Sequence, residues 1–260
     1  MKLQRFLNFL SRPHKNRAQP LAHWFRTAKG QLLGKMEREL LEAQLVRHFG
    51  SYILHYNPVV PIVAAPSIRQ SVSIGDPQIN VEMQCTENKW PVAADAVDVV
   101  VLQHSLDFAR SPHDVLREAA HCVRPGGHLI IVGSHTWSLF GVYRFLSCNV
   151  WKDAHYLAPA RITDWLSVLG FSVEKRCYAA YIPLLTASKL QNKLARLEHY
   201  AVARQLPLGG CYMLVARKMV HGMHPKMQSS KVALQKLRTT AVTAHTPYPK
   251  NFKHSEEYDR

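Results

Sequence analysis

Residues 98–138 read DVVVLQHSLDFARSPHDVLREAAHCVRPGGHLIIVGSHTWS. Val99-Val100-Val101-Leu102 is apolar without alternation, the pattern of a strand covered by helices on both faces. Gln103 and His104 break the run. Ser111-Pro112-His113-Asp114 is a helix start, with a hydroxyl at the N-cap, proline at the first helical position and an acid in the first turn. Val115, Leu116, Ala119, Ala120 and Val123 recur three to four apart and predict one buried helical face. Arg124-Pro125-Gly126-Gly127 predicts the turn that ends the helix. Leu129-Ile130-Ile131-Val132 is a second continuous apolar strand. Two buried strands joined by a helix form a right-handed βαβ unit in a parallel sheet. Ligands of such sheets lie at the carboxyl ends of the strands, here Gln103, His104 and Ser105, and the segment from Gly133 to Ser138.

Outward from this stretch, Leu32, Leu33, Met36, Leu40, Leu41, Leu45 and Val46 follow helical spacing and predict a long helix reaching about Phe49, stopped by Gly50. Ser51 to Tyr56 predicts the first strand, Ile68 to Ile74 the second and Ile79 to Met83 a short third. Further on, Pro159 to Leu169 predicts a helix, Phe171 to Ala179 a strand, Ser188 to Arg204 a helical stretch and Cys211 to Ala216 a final strand. Leu139 to Val150 reads as a loop and short helix over the sheet. This order predicts an α/β fold, a Rossmann-like doubly wound sheet that is mostly parallel and closes with an antiparallel C-terminal edge hairpin. Residues 1–20 read as a basic extension, with Ser11 to Pro20 as a linker. Residues 21–220 form the domain, and residues 221–260 a basic, polar tail expected to be disordered.

The 260 residues carry 33 Lys and Arg against 18 Asp and Glu, a formal charge of +15. Such a bias suits acidic partners, and nucleic acid contacts through the basic termini are one expectation; no aromatic platform interleaves with the basic residues, as single-strand binders require. Five scattered cysteines with no CxxC pair exclude a disulfide frame and predict free thiols in a reducing, cytoplasmic compartment. No apolar run approaches the length of a membrane span. The 15 histidines show no metal-ligand spacing, so no metal is expected.

Several pieces together resemble a known family: Trp24-Phe25 leading to Gly30, WPVAADAVD at Trp90 to Asp98, DVVVLQHSLDF at Asp98 to Phe108, SPHDVLREA at Ser111 to Ala119, then RPGGHLIIVG and WSLFG ending at Gly141. Their order and spacing are similar to those of class I S-adenosylmethionine (SAM)-dependent methyltransferases with a methyltransferase type 11-like domain, and within them a small bacterial subgroup. The resemblance covers roughly Trp24 to Arg217. It implies a seven-stranded Rossmann-like sheet with SAM across the carboxyl ends of the first four strands, and methyl transfer to an unidentified acceptor.

The resemblance implies cofactor contacts at the ends of those strands: His55, Tyr56 and Asn57, then Asp76, then Thr86 and Glu87, then Gln103 and His104. It implies an acceptor site at Ser134, His135 and Thr136. In-line methyl transfer rests on alignment and needs no covalent protein intermediate, so no catalytic residue is assigned. His104 would orient a substrate or act as a base. The departures lie at the cofactor. The family's first strand runs into a glycine-rich loop, where a Cβ would intrude; here it runs into His55-Tyr56-Asn57-Pro58-Val59-Val60-Pro61. The acid usual after the second strand is displaced to Asp76, and Thr86-Glu87 stands where the family has an aspartate. Two alternatives stay open: a catalytically inactive pseudo-methyltransferase acting as a binding protein, which a cavity filled by Tyr56 or Trp90 would favour, and a nucleic-acid-associated methyltransferase.

Overall fold

In the computed structural model, residues 18–135, 150–181, 204 and 209–219 are described. They build one sheet of seven strands, in the order β3-β2-β1-β4-β5-β7-β6. The chain starts with helices α1 (Ala18–Phe25) and α2 (Ala28–Leu45), then β1 (Gly50–Tyr56), β2 (Ile68–Gly75), β3 (Met83–Gln84) and β4 (Val97–Gln103). The short helix α3 (Ser105–Phe108) and helix α4 (Pro112–Cys122) lead to β5 (Val123–Ser134). A 3-10 turn (Val150–Asp153), helix α5 (Pro159–Val168) and strands β6 (Phe171–Ala179) and β7 (Cys211–Lys218) follow. Strands β1 to β5 are parallel neighbours. The last strand, β7, lies antiparallel between β5 and β6. The sheet is thus mostly parallel, with an antiparallel edge.

The apolar runs are buried on both faces because alternate residues serve different layers. Leu54, Val100, Leu102, Leu129 and Ile131 pack with Leu116 of α4 and Ile162 of α5. Ile53, Val99, Val101, Ile130 and Val132 pack with Leu41 and Leu45 of α2. A third cluster joins Leu21, Trp24 and Phe25 of α1 to Leu33, Phe108 and Trp151. Each fully buried aliphatic side chain contributes roughly 1.5–3 kcal/mol. At the opposite rim, Asp98 accepts the N–H groups of Ser51 (2.7 Å) and Tyr52 (2.9 Å) and pairs with Arg124 at 2.6 Å.

Several boundaries differ from the sequence reading. The linker expected up to Pro20 gives way to α1 from Ala18, with proline tolerated in the first turn. Helix α2 ends at Leu45, and Gly50 does not stop it. Gly50 begins β1, where a Cβ would collide with the Asp98 carboxyl group. Strand β3 shrinks to two residues. Its expected upstream part is held by side chains instead of a ladder: Ser73 N–H donates to Glu82 (3.0 Å) and Glu82 N–H to the Ser73 hydroxyl (3.1 Å). Helix α4 ends at Cys122, and Val123 already pairs with Val97, so Arg124 to Gly127 belongs to the start of β5. Gly126 does carry the positive φ expected of that segment, 80°. Residues 1–17, the apolar segment through residue 149, Thr136, nearly all of 188–204 and the tail 221–260 lie outside the described residues.

Candidate cofactor site

Strands β1, β2, β3 and β4 end around one cavity of about 770 Å³. This lies within the range of small-molecule sites, roughly 300–1,000 Å³. Tyr56, Asn57, Asp76, Thr86, Glu87, Gln103 and His104 all line it. Leu21 of α1 and Phe108 of α3 supply apolar wall. His55 does not reach it. Strand alternation turns that residue to the α2 face, where it is buried and its Nε2 has no hydrogen-bond partner. Burial without a partner lowers its pKa to about 4.

The turn after β1 replaces glycine chemistry with asparagine chemistry. Asn57 has φ 47°, a left-handed conformation that asparagine tolerates better than most residues. Its N–H donates to Ile74 O at 2.9 Å, and its Oδ1 accepts Asp76 N–H at 2.8 Å. The Tyr56 carbonyl accepts the Ser105 hydroxyl at 3.0 Å. The turn is therefore built without glycine, and these backbone groups are engaged inside the protein. Tyr56 stacks on Trp90, ring centroids 4.5 Å apart and 22° between planes. That stack is drawn into the wall and leaves the cavity open.

Asp76 directly follows the last residue of β2, because the strand runs on to Gly75. The carboxylate thus stands at the strand end and is not displaced from it. Glu87 accepts the N–H groups of Arg110 (2.8 Å) and Ser111 (3.0 Å), fixing the loop into α4. The Thr86 hydroxyl donates to Asn88 Oδ1 at 3.1 Å. Burial pushes the Cys85 thiol up to about 11, with the Asp76 charge adding to it. This cavity-lining cysteine is a thiol and not a thiolate nucleophile.

The cavity floor holds a cluster that the sequence reading missed. His104, with φ 53°, donates from Nε2 to Glu37 Oε1 (2.7 Å) and from Nδ1 to Asp107 Oδ2 (2.9 Å). All three side chains are fully buried. Glu37 Oε2 also accepts Gln103 Nε2 at 2.6 Å, and Asp107 Oδ2 accepts Ser134 N–H at 2.9 Å. Burial alone would lower the His104 pKa, but the Glu37 and Asp107 carboxylates outweigh it and raise it to about 10. Phe25 and Trp151 flank the imidazole, with ring centroids at 5.6 and 5.2 Å. Both ring nitrogens of His104 are thus engaged within the protein, which leaves neither free for a ligand proton. The signal for Glu37 was its place on the row Leu33, Glu37, Leu41 and Leu45, an acid on an otherwise apolar stripe.

The expected acceptor residues are placed differently. Ser134 and His135 are buried and do not line the cavity. Ser134 pairs with Cys211 of β7, and His135 packs against Tyr178 and Tyr212, with centroids at 5.8 and 6.4 Å. The antiparallel strand covers the end of β5. Among the described residues no group of three or more His, Cys, Asp or Glu is arranged to hold a metal. None of the described helices is long and apolar enough to cross a membrane.

A parallel sheet with this strand order and a cavity at the ends of its first four strands defines the class I methyltransferase fold. A family model described as a methyltransferase domain matches residues 60–131. In fold, and over that matched segment in sequence, the chain is similar to class I SAM-dependent methyltransferases. The uncharacterized protein YafS of Escherichia coli (strain K12) is 29% identical over 196 residues, 71% of this chain and 77% of that protein. Among solved structures, the complex between the Haloferax volcanii Trm112 methyltransferase activator and its methyltransferase matches with TM-score 0.53 and 15% identity, covering 80% of this chain and 100% of that one. A SAM-dependent methyltransferase from Thermotoga maritima matches with TM-score 0.53 and 14% identity, over 72% and 91% of the two chains. The [4+2]-cyclase SpnF matches at TM-score 0.52 and 16% identity, over 75% and 84%. The family match begins at residue 60, after the turn at Asn57 and well after Glu37.

Proposed function

We propose that the protein binds SAM in the cavity at the ends of β1 to β4 and transfers its methyl group to an acceptor. The observation that carries this reading is the cavity itself. It is of suitable volume and is lined by Tyr56, Asn57, Asp76, Thr86, Glu87, Gln103 and His104, with Asp76 directly after β2. Asp76 would accept hydrogen bonds from the ribose hydroxyls, and Thr86 and Glu87 would border the adenine. Gln103 and Asn57 would face the amino-acid part. Bound SAM supplies an electrophilic methyl group on a sulfonium. The chain's own contribution is to align and desolvate, with Leu21 and Phe108 limiting water at the cavity wall. Four free thiols among the described residues support a reducing, cytoplasmic setting. Calorimetric titration with SAM and with S-adenosylhomocysteine tests the reading. Saturable micromolar binding is expected, and no heat at millimolar ligand overturns it.

One observation favours a second reading, a non-catalytic protein on the same fold. The N–H of Asn57 and the C=O of Tyr56 are already bonded within the protein, so this turn offers a ligand fewer backbone groups than a glycine loop would. Under that reading ligand binds without turnover on any acceptor.

A further inference from the structure

Glu37 is a fully buried carboxylate on α2, outside the segment that matches the methyltransferase domain model. Both of its oxygens are used, one by Gln103 Nε2 and one by His104 Nε2. A carboxylate only accepts hydrogen bonds, so it dictates the orientation of the Gln103 amide. The amino group turns to Glu37, and the carbonyl oxygen is the part left for the cavity that Gln103 lines. The cluster beneath that wall, Glu37, His104 and Asp107, is closed to water and holds its members in place by hydrogen bonds. An amide oxygen on the wall is an acceptor and suits a donating ligand ammonium.

We propose that Glu37 is a positioning residue that acts through Gln103 and His104 to make this wall selective for the ammonium group on the amino-acid end of a sulfonium or thioether nucleoside. The inference rests on the SAM-binding reading above. Glu37 touches no ligand itself. It fixes which face of an amide the ligand meets.

The test compares two nucleosides by calorimetry: S-adenosylhomocysteine, which has the ammonium-bearing chain, and 5′-methylthioadenosine, which lacks it. Glu37→Gln can donate as well as accept, so it frees the Gln103 amide to turn. Gln103→Met removes the amide, keeps its volume and leaves the Glu37–His104 pair in place, which covers the case in which Glu37→Gln fails to fold. In each variant S-adenosylhomocysteine should weaken by about tenfold, the scale of one charge-assisted hydrogen bond, while 5′-methylthioadenosine stays within about twofold. Parallel weakening of both ligands, or no weakening of either, overturns the positioning role and leaves the SAM reading intact. Wild-type protein that binds neither nucleoside overturns both.

Discussion

Asn57 Oδ1 accepts the backbone N–H of Asp76 at 2.8 Å, tying the turn after β1 to the end of β2. The contact is close enough that a Cβ on Gly75 would collide with the same oxygen. One asparagine thus supplies the left-handed backbone and fixes the neighbouring strand end without a glycine in the turn.

Asn57→Ala should destabilise the protein by about 1–2 kcal/mol, the sum of a lost hydrogen bond and a left-handed alanine. Asn57→Gly loses the bond but keeps the backbone at ease, so it should fall between the two in urea denaturation. Affinity for S-adenosylhomocysteine should drop in Asn57→Ala. Unchanged affinity would remove this turn from the binding site.

The His104 cluster predicts a pH dependence. Unfolded, the imidazole titrates near 6.5, and folded near 10, burial being outweighed by the two carboxylates. Its stabilising contribution is fully present below pH 6.5 and is lost as pH rises through 10. The urea midpoint should therefore decline across that window, by at most roughly 1.4 kcal/mol per pH unit. His104→Gln should lower the midpoint and flatten that decline. A decline of equal slope in the variant would assign it to other groups.

The opposite window belongs to His55. Burial lowers its pKa to about 4, so stability is present above 6.5 and lost as pH falls from there towards 4. His55→Leu removes a buried nitrogen that lacks a partner, and should stabilise at pH 5 by about 1 kcal/mol. A destabilised variant at that pH would show that the ring is satisfied.

Asp76→Asn keeps an acceptor for the Gln78 N–H, which Asp76 Oδ1 holds at 2.9 Å. Thermal stability of the ligand-free protein should therefore change little. Affinity for S-adenosylhomocysteine should fall about tenfold if the charge meets the ribose diol. Equal affinity would place the nucleoside elsewhere.

The fold was legible where burial is uniform. Val99 to Leu102 and Leu129 to Val132 are apolar on both sides because two helical layers cover them, and the βαβ unit follows. The site was legible wherever strand ends could be counted, hence Asp76, Gln103 and His104 around one cavity. Two kinds of feature escaped. Strand β3 is short because Ser73 and Glu82 exchange side-chain bonds, a tertiary choice that alternation does not encode. The partner of His104 lies 67 residues upstream on another element. Only the burial of α2 shows that Glu37 is inside, although its place in an apolar row hinted at it.

The last of the described strands in sequence, β7, is an inner strand of the sheet. Until Lys218 has been synthesised, the edges of β5 and β6 that β7 joins have no partner to meet. Until β7 is made, the nascent chain thus exposes two open edges that other chains can pair with. A chain stopped just before Cys211 would keep every residue that lines the cavity and still be left to chaperones or aggregation, because the strand that joins β5 to β6 would be missing.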